Sequence, residues 1–89
     1  MLHKSNENFL GKRFYVDKAN IEMYFEGEDI IIDKASKKVQ IFISAFNKFT
    51  NKYNFHVQVK WDNHIVHEPS DNYFSYEEIN GWGLKPAIY

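Results

Sequence analysis

Ala35, Val39, Phe42, Phe46, Phe49 and Tyr53 follow one another at spacings of four, three, four, three and four. No other pattern in the 89 residues constrains the fold as strongly. On a helix of 3.6 residues per turn, six such side chains form one apolar stripe. The spacing therefore predicts a long amphipathic helix beginning at Asp33 or Ser36, either of which can serve as an N-cap. The stripe lasts under three heptads and is rich in Phe, so it reads as a helix lying on a core and not as a coiled coil.

Strand-like alternation flanks that segment. FLGKRFYV (9–16) fits a strand with Gly11 as a bulge, and in IEMYF (21–25) Ile21, Met23 and Phe25 alternate with Glu22 and Tyr24. The turn cluster EGED (26–29) leads into the β-branched run Ile30–Ile32. Downstream, FHVQVKW sets Phe55, Val57, Val59 and Trp61 on one face, Asp62-Asn63 offers a two-residue turn, and HIVHE returns. Ser75 with Glu78 has the form of a capping box, Gly81 suits the C′ position, and LKPAIY is apolar enough to dock or add a strand. The expected fold is α+β, a mostly antiparallel sheet of about five strands in the order β-β-β-α-β-β-α with the long helix across one face. Residues 9–89 form one domain behind a flexible polar tail at 1–8.

Composition removes several classes. The chain has no cysteine, which excludes a disulfide scaffold and a thiolate zinc site. No apolar run approaches the ~20 residues needed to span a bilayer, and MLHKSNEN lacks the apolar centre of a signal peptide. The expectation is an intracellular, cytoplasmic chain starting at its own Met1, with no membrane partner. Ten lysines stand against one arginine, and Lys, Asn, Ile, Phe and Tyr together dominate. All five use AT-rich codons, which suits a low-GC bacterium or its phage.

The formal charge of −1 hides a partition. Residues 1–33 carry seven acids and four bases, 34–60 six lysines and no acid, and 61–89 five acids and one lysine, or −3, +6 and −4. On the expected helix Lys34, Lys37, Lys48 and Lys52 share a solvent-facing flank with Ile41 among them, a surface for an acidic partner or for phosphates. Only one Arg is present to read bases, so nucleic-acid binding by that flank would be nonspecific. Glu22, Glu26, Glu28 and Asp29, with Asp33, form an acidic region that a nucleic-acid mimic would display. Trp82, between two glycines, is either an exposed interface anchor or the ring that folds back over the preceding helix.

Chemistry, if any, lies in HVQVKWDNHIVHE (56–68), which holds three of the four histidines. With a two-residue turn, Trp61 pairs with His64, Val59 with Val66 and Gln58 with His67. His56 and His67 then share one face and His64 takes the other, so His64, His67 and Glu68 do not converge as a metal site requires. An acid–base pair for a metal-independent nuclease would need a nearby cation, and sequence does not place Arg13 there. Phosphate-loop, H-E-x-x-H and G-x-S-x-G signatures are absent, and no catalytic residue, metal or cofactor is implied. The leading expectation is a small non-enzymatic protein that binds another protein, such as an inhibitor or accessory factor of a phage or mobile element. Alternatives are nonspecific nucleic-acid binding, nucleic-acid mimicry and a small nuclease. A homodimer through an open strand edge fits the same pattern.

Overall fold

A computed structural model describes residues 9–87. The expected tail at 1–8 lies outside the described residues, as do Ile88 and Tyr89 of the C-terminal run. The elements are β1 (Arg13–Val16), α1 (Lys18–Ile21), a 3-10 turn (Glu22–Tyr24), β2 (Asp29–Ile30), β3 (Val39–Asn47), β4 (Lys52–Trp61), β5 (His64–Pro69), α2 (Tyr76–Asn80) and β6 (Lys85–Pro86). Every strand pairing is antiparallel.

The long helix is not formed, which corrects the expected architecture: the segment 35–53 is β3, a tight turn and the start of β4. Period two prevails over the four-three stripe because Val39, Ile41 and Ile43 become fully buried on one face of β3. A helix would leave Ile41 on its solvent side and Ile43 at the margin of the stripe. Burying such a side chain contributes roughly 1.5–3 kcal/mol, and all three are β-branched, so a helix also costs them χ1 freedom. The strand pair gives up Phe49 instead, which is 92% exposed at the turn. That turn is built from asparagines. Asn47 Oδ1 accepts from the N–H of Phe49 at 2.9 Å and of Thr50 at 3.3 Å, and Asn51 takes φ 62°.

Two shorter corrections have the same kind of cause. IEMYF is α1 and the 3-10 turn, because Ile21 and Phe25 are buried four apart while Met23 is exposed. Only Asp29–Ile30 of the isoleucine run pairs as strand.

β4 organises the sheet. One of its edges carries β3 and then, at Val59–Lys60, β2; the other carries β5 along His56–Trp61. β3 continues to β1 and β1 to β6. The core lies on one face, where Phe14, Val16, Ile30, Val39, Ile41, Ile43, Tyr53, Phe55, Val57 and Val59 are covered by Phe9, Ile21, Phe25, Phe74 and Ile79. Phe55 is the hub of an aromatic cluster, with Phe25, Phe74 and Trp82 rings at 5.7, 5.6 and 5.4 Å. Each such pair contributes about 0.5–1.5 kcal/mol beyond its buried area.

At the C-terminal end the capping box is realised and the expected position of Gly81 is not. Ser75 accepts from Glu78 N–H at 3.1 Å and Glu78 from Ser75 N–H at 2.8 Å, closing the capping box of α2. Gly81 stays right-handed at φ −69°, and the left-handed position falls to Gly83 at φ 68°. β6 pairs with β1, so the tail adds a strand.

Candidate open-face site

Helices and loops cover one face of the sheet, and the strand alternation defines what the other face presents. The β4–β5 turn has Asp62 at φ 51° and Asn63 at φ 66°, as a two-residue primed turn requires. It sets the register Trp61↔His64, Val59↔Val66, Gln58↔His67. Since Val57 and Val59 point into the core, His56, Gln58 and Lys60 point away from it, and His67 joins them across the pair.

The same rows extend over the neighbouring strands. Phe42 pairs with His56 on one side and Arg13 on the other, so Arg13–Phe42–His56 form one row across β1, β3 and β4. Lys85, Tyr15 and Gln40 form the next across β6, β1 and β3. Arg13, Gln40, Phe42, His56, Gln58 and His67 line a concave groove of about 370 Å³. The Arg13 guanidinium lies 5.0 Å from the centre of the Phe42 ring, a cation–π contact that holds it over the groove.

Charge on this face is one-sided. Among the described residues, its register positions hold Arg13, Lys52, Lys60 and Lys85 against a single acid, Asp29, opposite Lys60. The other described acids lie in turns and helices or, like Glu68 opposite Val57, on the core side of the sheet. A chain of net charge −1 thus shows a cationic face. The lysines stand at the margins, with aromatic, amide and imidazole groups on the floor. Lys52 and Lys60 are eight residues apart on β4, or roughly 26 Å.

The residues singled out from sequence do not assemble as the expected helix would place them. With no helix there is no shared flank. Lys34 and Lys37 sit in the turn before β3, Lys48 in the turn after it, and Lys52 alone reaches the open face. Ile41 is fully buried, so it is core and not surface. Trp82 is half-buried and packs into the aromatic cluster, against Phe55 and against Phe74 at 5.3 Å. The acidic set divides as well. Glu22 pairs with Lys18 at 3.9 Å, Glu26 is an exposed turn residue, Asp29 lies on the open face, and Glu28 shares a pocket with Glu68, Val59, Trp61 and Val66. Burial first, then the charges of Glu68 and Asp71, raise the Glu28 pKa above its ordinary value. Asp33 does cap a turn: its carboxylate accepts from Ser36 N–H at 2.8 Å, and hydrogen bonds with Ser36 hold its pKa low.

Arg13, Phe42 and Gln40 are the site residues that sequence reasoning did not gather. The available signal was the alternation within 13–16 and 39–43, which the stripe of large rings obscured. His64 falls on the opposite face from His56 and His67, next to Trp61. Among the described residues no group of three or more His, Asp or Glu is placed to hold a metal ion. No helix of the described residues is long and apolar enough to cross a membrane. Comparison of the chain with protein-family models, curated proteins and solved structures gives no match.

Proposed function

We propose that this protein binds single-stranded nucleic acid across the open face of its sheet. The observation that carries the reading is the arrangement of that face, with cations at the margins and half-buried ring and amide groups between them. Marginal lysines suit a phosphate backbone, while a floor of rings and amides suits unpaired bases, which stack on aromatic faces and guanidinium planes. A duplex keeps its bases paired and would engage only the margins. Charge-reversing Lys52→Glu with Lys60→Glu should abolish binding of a labelled oligonucleotide in an anisotropy titration. Lys34→Glu with Lys37→Glu, off the face, should leave it intact; the opposite pattern refutes the reading.

One observation favours a second reading, contact with a protein partner. At the β4–β5 end Trp61 is 70% exposed on the core side, beyond the reach of the covering loops, and Ile65 is 62% exposed on the open face opposite Lys60. Large apolar side chains grouped at one end are the kind of anchor that interfaces use. Trp61→Ala, on the face away from Lys60, would abolish such a complex in co-purification and leave oligonucleotide binding unchanged.

A further inference from the structure

We infer that the open-face groove cleaves RNA, with His56 and His67 as the proton-transferring pair and Arg13 as the group that stabilises charge on the phosphate. The inference rests on the nucleic-acid reading above and deepens it. Sequence alone left a hairpin with two histidines and no placed cation. The fold supplies that cation: Arg13 comes from β1, on the far side of β3, into the groove that His56 and His67 line.

The geometry suits a phosphodiester. His67 is directly opposite Gln58, and His56 is directly opposite Pro69, which makes the two histidines diagonal neighbours across the pair. Diagonal neighbours are roughly 7–8 Å apart at the backbone. Two imidazoles rising from the sheet span that separation and can approach one phosphate from two sides. Arg13 approaches from the third side, its guanidinium 5.0 Å from the Phe42 ring centre and restrained there. The lysine margins and the Phe42 ring hold the flanking nucleotides, the positioning that in-line attack requires.

The step is self-contained. The 2′-oxygen of a ribose attacks the adjacent phosphorus and the bond from phosphorus to the 5′-oxygen breaks. One imidazole accepts the proton leaving the 2′-hydroxyl, and the other, entering protonated, donates a proton to the departing 5′-oxygen. Histidine is the side chain that ordinarily supplies both forms near neutral pH. Arg13 faces the non-bridging oxygens as negative charge builds on them. The products are a 2′,3′-cyclic phosphate and a free 5′-hydroxyl. Nothing is oxidised or reduced, and no co-reactant is consumed.

The experiment incubates the full chain with labelled oligonucleotides of one sequence as RNA, as DNA and as 2′-O-methyl RNA, in EDTA, with anisotropy recording binding of each. The expected result is binding of all three and cleavage of RNA alone, with mass spectrometry showing the cyclic phosphate. His56→Ala and His67→Ala should each slow cleavage at least 100-fold, in the range of acid–base contributions. Both variants should keep the circular dichroism spectrum and thermal transition of the wild type, which shows that they are folded. Intact RNA at saturating wild-type protein overturns the inference and leaves the binding reading standing, whereas failure to bind any of the three removes both. Cleavage that survives in the double histidine variant, or that consumes the 2′-O-methyl strand, also overturns it.

Discussion

Removing two lysines from the open face should change the salt dependence of oligonucleotide binding by an amount that the strand register sets in advance. Among the described residues, Arg13, Lys52, Lys60 and Lys85 are the four cations at register positions on that face. Each phosphate contact to a single strand contributes about −0.7 to the slope of log affinity against log salt. Four contacts therefore give a slope of about −2.8. Raising salt from about 50 to 200 mM, a fourfold change, then weakens binding ~50-fold. Lys52→Gln with Lys60→Gln leaves two contacts, a slope of about −1.4 and a loss of only ~7-fold over the same range. Lys34→Gln with Lys37→Gln removes equal charge from the turn before β3 and should leave the slope at its wild-type value. Anisotropy titrations with a short labelled single strand, at four salt concentrations, measure all three slopes. Equal slopes in the two double variants would show that net charge and not the open face governs binding, and the reasoning would fail.

Three further outcomes concern stability. Phe55→Ala removes the ring that contacts Phe25, Phe74 and Trp82, and should cost about 3–5 kcal/mol in urea denaturation, a large part of the stability of a domain this size. Ser75→Ala should cost ~1 kcal/mol by the same measurement, because it opens the capping box of α2. Glu28→Gln should stabilise the protein at neutral pH, since burial and the Glu68 and Asp71 charges raise the pKa of this carboxyl in the folded state. A raised carboxyl pKa means that stability is lost as pH rises above the ordinary carboxylate range. The gain should accordingly vanish in acid, where the glutamate is protonated in both folded and unfolded chains. Thermal melts of the two proteins at pH 3 and pH 7 compare them directly.

Local signals in this chain were legible wherever neighbours in sequence are also neighbours in space. The Asp62-Asn63 turn sets the β4–β5 register, and that register divides His64 from His56 and His67 without reference to the rest of the molecule. Ser75 and Glu78 specify their own capping box three residues apart. The segment 35–53 was not legible in this way. Its six ring-bearing or small apolar positions satisfy helical spacing, while Val39, Ile41 and Ile43 satisfy strand spacing. The choice between them depends on whether a partner strand is available to bury the second set. β1 and β4 supply it on either side of β3, through the pairs Phe14↔Ile41 and Ile41↔Val57.

By itself, then, the sequence determined the absence of thiol chemistry, the acid-free middle segment, the closing hairpin and the cap of the short helix, because each is local or compositional. The tertiary structure decided that the middle segment is a strand pair and that its lysines scatter to turns with only Lys52 and Lys60 on the open face. It also decided that Arg13, more than forty positions before His56, lines the same groove. The physical reason is that a side chain's surroundings in a sheet are set by pairing partners far away in the chain, and pairing follows from which alternation can be buried.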